Sequence, residues 1–347
     1  MDLHDLERKH AVSAVKQAAG FCHAIRAEKR IRPMTKADGS PVTNADLGSQ
    51  ALIVSALRQV FPTDPIMAEE TLDADDFQDT EFNEELLQDL SRAGTSFTDM
   101  ERLAHVINRI IEGQSTVAEN WRDRYWVLDP IDGTKGFLKG GQYAVALGLI
   151  EHGEVQVAVL ACPEFQITEN SEKGWILYAV KGQGAWATPL FSTSENSSLA
   201  LHVSRNLGLT QTLNMCESLN HSPHGISGQV AARLGVPEAH IFKMDSQAKY
   251  ASVACGLTDF YLRLPTSKAY YEAVWDHAAG ALVLTEAGGR VTDMFGLSLA
   301  WNDSRSWSEN HRLSQANGVV VTNSLIHDKV INAIAEVMKS QSGTNPS

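Results

Sequence analysis

The sequence predicts a layered α/β protein. Three observations carry that reading. Short apolar runs alternate with helical periods through the second half of the chain. One buried strand, Trp126 to Leu128, runs straight into a pair of carboxylates, Asp129 and Asp132. The 347 residues, 43% of them hydrophobic, are ample for a core and suit one large two-lobed unit.

Residues 4–29 read as a helix, because Leu6, Val12, Val15, Ala18, Ala19 and Cys22 fall near a 3.6 period. A polar loop with Pro33 and the turn Ala37-Asp38-Gly39-Ser40 follows. Thr43 or Asn44 can cap a helix from about Ala45 to Val60, with Asp46 in its first turn. Ile66-Met67-Ala68 is a short strand ending in Glu69-Glu70. Ten acidic residues from Glu69 to Asp89 read as a solvated, partly mobile insertion over 71–89. A helix is expected from Asp99 to Glu112, with Leu103, Val106, Ile107, Ile110 and Ile111 inward.

The central strand is expected to stop at Pro130, which lacks a backbone donor. Gln142 to Glu151 and Glu154 to Ala161 form a hairpin about His152-Gly153, and Gly174 to Val180 and Gly184 to Ala187 are strands. Residues 188–198 mark the lobe boundary. The expected division is an N-terminal lobe, 1–190, a C-terminal lobe, 199–340, and a frayed tail, 341–347. In the second lobe, strands are expected at Leu201–Ser204, Asn214–Cys216, Asp259–Leu264, Gly289–Thr292 and Gly318–Thr322. Helices are expected at Ile226–Leu234, Ala248–Gly256, Asp276–Ala287 and Leu325–Lys339.

Asp129 and Asp132 can converge on a hard cation, with the carbonyl of Ile131 as a third oxygen. Gly133 lets a backbone N–H approach an anion, and Thr134 adds a hydroxyl. Carboxylates running into a phosphate-sized turn suggest phosphoryl chemistry; the plainer alternative is a strand with an Asp-rich turn. Asp46 can equally be helix-start chemistry. Glu69 and Glu70 can be a solvated pair, and Asp276 an N-cap. His277 reads as a packing residue rather than a ligand.

The formal net charge of -13 argues against sequence-independent binding to nucleic acid or an acidic membrane. No apolar run approaches a membrane span, and the charged start lacks a secretory h-region. The four scattered cysteines fit reduced thiols, so a cytoplasmic location is expected.

Together Asp129-Pro130-Ile131-Asp132-Gly133-Thr134, the strand-end Glu69-Glu70 and Trp275-Asp276-His277-Ala278-Ala279-Gly280 resemble the lithium-sensitive, magnesium-dependent phosphatases typified by inositol monophosphatase. The resemblance spans roughly Ser40 to Asn323. Within that superfamily, Lys135-Gly136-Phe137, Glu217–Ser222, Ser246–Tyr250 and Tyr261–Pro265 look like the 3'(2'),5'-bisphosphate nucleotidases. The resemblance implies an α-β-α-β-α sandwich in two lobes. It implies Glu69, Asp129, Ile131 (through its carbonyl), Asp132 and Asp276 as ligands for two or three Mg²⁺ ions. Asp46 and Thr134 resemble the pair that activates the attacking water. Gly133, Thr134, His221, Ser246, Lys249, Arg263 and Asp276 resemble the substrate-binding set. By position alone, Lys249 could be a solvated lysine and Arg263 an edge-strand ion pair.

The implied reaction is removal of the 3'-phosphate from adenosine 3',5'-bisphosphate, and from the corresponding phosphosulfate, by metal-activated water. The alternatives are an inositol or sugar phosphate phosphatase on the same metal core, and a catalytically idle sensor. The implied partner is a small nucleotide, with a monomer as the expected state and a dimer as the alternative. Two departures stand out: Ala68 where Gly commonly precedes the Glu pair, and the long acidic insertion.

Overall fold

The computed structural model describes residues 3–36, 39–72, 79–108, 123–168, 170–192, 198–219, 225–265, 271–301, 312–313 and 315–342. Helix α1 (Asp5–Ala27) and helix α2 (Asn44–Val60) lie against one face of a seven-stranded sheet. Between them a small hairpin, β1 (Pro33–Thr35) with β2 (Pro41–Thr43), replaces the expected polar loop. Its turn is closed by the amide of Lys36 donating to the Ser40 carbonyl at 2.8 Å.

The large sheet follows chain order: β3 (Ile66–Ala68), β4 (Arg124–Asp132), β5 (Ala144–Glu151), β6 (Glu154–Cys162), β7 (Trp175–Val180), β8 (Ala185–Pro189) and β9 (Leu199–Ala200). β3 and β4 are parallel, and the remaining pairs are antiparallel. Sheet pairing thus continues to Leu199–Ala200, beyond residues 188–198, and Leu201–Ser204 forms no strand.

The central strand does not stop at Pro130. β4 continues to Asp132, and the ladder to β5 shifts register between Asp129 and Asp132. That irregularity spares Pro130 a ladder bond, and its carbonyl accepts from Ser49 Oγ at 2.9 Å.

Part of the acidic stretch is a helix, which corrects the reading of 71–89 as a solvated insertion. α3 (Thr80–Arg92) starts at Asp79, whose side chain accepts from the Phe82 amide, and it buries Phe82, Leu86 and Leu90. The apolar period sits beneath the charges, so charge density misled. Residues 73–78 lie outside the described residues. α4 (Met100–Asn108) carries Leu103 and Ile107 inward; the rest of the expected helix, 109–112, is outside the description.

After the seven-stranded sheet come β10 (Met215–Glu217), α6 (Ile226–Arg233), β11 (Ile241–Lys243), α7 (Ala248–Ala254), β12 (Phe260–Arg263), α8 (Ala278–Glu286), β13 (Arg290–Thr292), β14 (Val319–Thr322) and α9 (His327–Ser342). The earlier short helix α5 spans Thr134–Leu138. The second sheet runs β11-β10-β12-β14-β13. β11 had no expectation in the sequence. α9 reaches Ser342, so the expected frayed tail is helical at Gln341–Ser342.

Three apolar interfaces make the layering visible. The first joins α1 and α2 to one face of the large sheet, through Trp126 and Leu128 among others. The second joins its other face, through Val127, to α7, α8 and one face of the small sheet, including Tyr261 and Val321. The third joins the far face, Phe260, Leu262 and Val320, to α6 and α9. Period-2 alternation along β4, β12 and β14 supplies both faces. The result is an α-β-α-β-α sandwich.

Candidate active site

The parallel pair β3/β4 sets the first carboxylates. Ala68 pairs with Leu128, so Glu69 leaves the end of β3 beside Asp129, which is still paired with Ala146 of β5. The register shift then turns the chain through Ile131 and Asp132 into Gly133, at φ +87°, and α5. Gly133 is needed twice. Its φ lies in the left-handed region, and a Cβ there would stand 3.1 Å from Ser246 Cβ. That contact brings the α7 loop onto the turn. Ser246 itself holds φ +67°, an uncommon conformation for a non-glycine residue.

The cleft between the two sheets' ends has a volume of about 450 Å³. Its walls include Glu69, Asp129, Ile131, Asp132, Gly133, Thr134, Ser246, Lys249, Arg263 and Asp276. Asp46 lies behind it, fully buried. Thr43 caps α2 in a capping box with Asp46, as the sequence allowed, and Asp46 Oδ1 accepts from Thr134 Oγ1 at 3.1 Å. Helix capping and contact with the site are therefore the same arrangement. Asp276 lies ahead of α8, whose N-cap is His277, so it is not the helix cap. His221 is outside the described residues.

The carboxylates crowd one another with too little positive charge. Burial, then the charges of Glu69, Asp132 and Asp276, pushes the Asp129 carboxyl well above the carboxylate range. Burial, then Glu70, pushes Glu69 up to about 8 despite Lys36. Burial and Asp276 push Asp132 up to about 6, although Lys249 and Arg263 oppose them. Burial pushes Asp46 up to about 7. Asp129 Oδ1 is buried without a hydrogen-bond partner. A buried oxygen of this kind costs free energy unless something binds it. A partnerless carboxylate oxygen, in a cleft that Glu69, Asp132, Asp276 and Ile131 also line, fits a hard divalent cation.

A second grouping, Glu272, Asp276 and His277, also brings its ligand atoms within 4.8 Å of one another. There the cation is already a side chain. Arg263 Nε donates to Glu272 Oε2 at 2.6 Å, and Arg263 Nη2 donates to Asp276 Oδ2 at 3.2 Å.

Lys249 is buried. Its ammonium donates to the Ser246 carbonyl at 2.8 Å and lies 5.1 Å from the Tyr261 ring centroid. Burial lowers its pKa, while Asp132 opposes the drop. It is thus no solvated lysine, and Arg263 serves two acids rather than a strand edge.

Several cleft residues escaped the sequence reading. Lys36, from the hairpin turn, reaches Glu70 at 2.7 Å and Glu69 at 3.5 Å. Gln247 donates its amide to Asp132 Oδ2 and its side-chain nitrogen to the Trp275 carbonyl. Asp245 and Glu272 also face the cleft. Glu272 stands only four residues before Asp276, but that spacing alone assigned it no role.

A layered fold thus carries, in one cleft, a cluster of carboxylates beside a lysine and an arginine. The model of the inositol monophosphatase family matches residues 6–339, and the chain belongs to that family. It is 37% identical to a 3'(2'),5'-bisphosphate nucleotidase of Emericella nidulans, over 97% of this chain and 99% of that one. It is 38% identical to a protein of the same name from Schizosaccharomyces pombe, over 96% of each. Among solved structures, an IMPase from Thermotoga maritima is 22% identical, with a TM-score of 0.63, covering 97% of this chain and 99% of that one. CysQ from Bacteroides thetaiotaomicron is 20% identical, with a TM-score of 0.57, covering 91% and 97%. These structures share the fold. No described helix is long and apolar enough to cross a membrane.

Proposed function

We propose that the protein is a Mg²⁺-dependent 3'(2'),5'-bisphosphate nucleotidase that converts adenosine 3',5'-bisphosphate to AMP and phosphate. The corresponding phosphosulfate is a second substrate on this reading. One observation carries it. A cation-poor carboxylate cluster and the Lys249/Arg263 pair line the same cleft, so one phosphate can meet metal while another meets guanidinium and ammonium. The names of the relatives at 37% and 38% identity support it.

Glu69, Asp129, Asp132, Asp276 and the Ile131 carbonyl would hold two or three Mg²⁺ ions. When bound, these would neutralise the scissile phosphate and make a water more acidic. The chain's part is orientation. Asp46 accepts the Thr134 hydroxyl proton, which leaves Thr134 Oγ1 lone pairs to accept from the attacking water. The water attacks phosphorus in line, the bond to the 3'-oxygen breaks, and a proton passes to that oxygen. No nucleophilic side chain is required. Gly133 and Thr134 offer backbone donors to the scissile phosphate, while Ser246, Lys249 and Arg263 hold the nucleotide and its 5'-phosphate. His221 belongs to the same set by resemblance.

The test is phosphate release from adenosine 3',5'-bisphosphate, inositol 1-phosphate and fructose 1,6-bisphosphate, with Arg263→Ala beside wild type. A charged hydrogen bond of about 1.5–3 kcal/mol corresponds to about a 10- to 150-fold loss in kcat/KM for the bisphosphate. A substrate with only the scissile phosphate should be nearly unaffected. An unchanged ratio between the two would favour the inositol phosphate reading.

A further inference from the structure

Glu272 is 2% exposed yet lines the cleft, and nothing in the reaction just described employs it. Its Oε2 accepts from Arg263 Nε at 2.6 Å and lies 3.3 Å from His277 Nε2. His277 Nδ1 in turn lies 2.8 Å from the Tyr250 hydroxyl, and both rings are buried. A phenol donating to Nδ1 leaves the proton on Nε2, which then donates to Glu272. Burial would raise the Glu272 carboxyl, but the His277 hydrogen bond and the Arg263 charge outweigh it and hold it below its ordinary value. Glu272 is therefore a fixed anion, backed by a chain of hydrogen bonds.

A second acidic partner of Arg263 is of a different kind. Asp276 Oδ2 sits 3.2 Å from Nη2, on a side chain that is 19% exposed at the cleft. Asp276 also belongs to the carboxylates assigned to the cation. One carboxylate cannot serve a guanidinium and a divalent cation equally well. Cation binding at Asp276 loosens its pull on Nη2. Glu272, with the shorter contact, then keeps the guanidinium at the cleft wall, where a phosphate can take the place of Asp276.

We propose that Glu272 is a positioning residue that keeps Arg263 at the cleft wall when Asp276 takes the cation, so that the cation and the second phosphate favour one another's binding. The phosphate half rests on the nucleotidase reading; the cation half does not.

The experiment is calorimetric Mg²⁺ titration of wild type, Glu272→Gln, Arg263→Ala and the double variant, without nucleotide. Released from Glu272, Arg263 should hold Asp276 more firmly. Glu272→Gln should then weaken Mg²⁺ binding at least about tenfold, the effect of a charged hydrogen bond. In the Arg263→Ala background the same change should cost less than about twofold, the scatter of independent sites. Equal weakening in both backgrounds, or none in either, overturns the proposal, because Glu272 would then act through its own charge or not at all. If Glu272→Gln does not fold, Glu272→Asp, which keeps the charge on a shorter arm, replaces it in the same cycle.

A second arm adds AMP, which carries only the non-reacting phosphate. AMP should tighten Mg²⁺ binding about fivefold or more in wild type, a usual coupling between sites. It should have no such effect in Arg263→Ala, and tightening that persists there counts against the proposal. Failure of wild type to bind AMP would instead reject the nucleotide reading, with the nucleotide-free cycle still deciding the role of Glu272.

Discussion

At the scale of single residues, Asp129 shows how a site can be built at the expense of stability. It is 1% exposed, Oδ1 has no partner, and its neighbours repel its charge. Removing the charge should relieve the metal-free protein and cripple the enzyme. Asn has nearly the same shape, so Asp129→Asn should leave stability in chelator unchanged or raise it by about 1 kcal/mol. The same variant should lose more than tenfold in kcat, over ~1.4 kcal/mol of barrier, and lose the rise in Tm that the proposed function predicts Mg²⁺ to give wild type. Denaturation in chelator, thermal scans with Mg²⁺ and turnover assays check the three. A marked loss of stability in chelator would mean that Asp129 is a structural acid. The strand-end carboxylates were legible because their spacing is local. Lys36, Gln247 and Glu272 were not, because each acquires its role from a contact between separate elements.

At the scale of elements, the site depends on how closely α7 and α8 approach. The Gly280 amide donates to Gln247 Oε1 at 3.0 Å, and the Gln247 amide holds Asp132. A Cβ on Gly280 would lie 2.5 Å from the Tyr250 ring, a contact that forces the two helices apart. Gly280→Ala should therefore cost about 1–3 kcal/mol of stability, as overpacking does. Gly20, inside α1 with nothing within 4 Å of the same position, is the control. There Ala should stabilise by about 0.5–1 kcal/mol, because only the backbone-entropy cost of glycine changes. Denaturant unfolding of both variants checks the pair, and a neutral Gly280→Ala would mean that the helices can separate freely. The small-residue run Ala278-Ala279-Gly280 permits such an approach, but nothing in the sequence names Tyr250 as its partner. Helix periods were legible where charge did not mask them. At α3 the inward Phe82, Leu86 and Leu90 were hidden among acids. At Pro130 the expected stop overlooked a register shift, a property of two strands rather than one.

At the scale of the whole molecule, alternation of strand and helix foretold layers, since each buried strand must cover two faces. It could not say which layers meet, because that is fixed by contacts such as those at His327, where α9 closes on the small sheet. His327 is buried, with Nε2 2.9 Å from Thr292 Oγ1 and Nδ1 3.0 Å from Thr322 Oγ1. Thr292 Oγ1 already donates to the Asp293 carbonyl, so it accepts from Nε2–H. Nδ1 is then the acceptor for Thr322. A proton on Nδ1 would break that bond inside the interface. Burial, with Arg290 nearby, accordingly lowers the His327 pKa from 6.5 to about 4. The unfolded chain therefore binds this proton first. The contribution of His327 to stability is complete above about pH 6.5 and is lost as pH falls towards 4. At about 1.4 kcal/mol per pKa unit, the loss is on the order of 3 kcal/mol. The acidic cleft also titrates, so wild type alone would not isolate the effect. His327→Gln carries no proton to gain. Its unfolding free energy should fall less than that of wild type between pH 6.5 and 4, with the two curves converging in acid. Parallel curves would place the acid sensitivity elsewhere in the molecule and leave His327 as a spacer between α9 and the sheet.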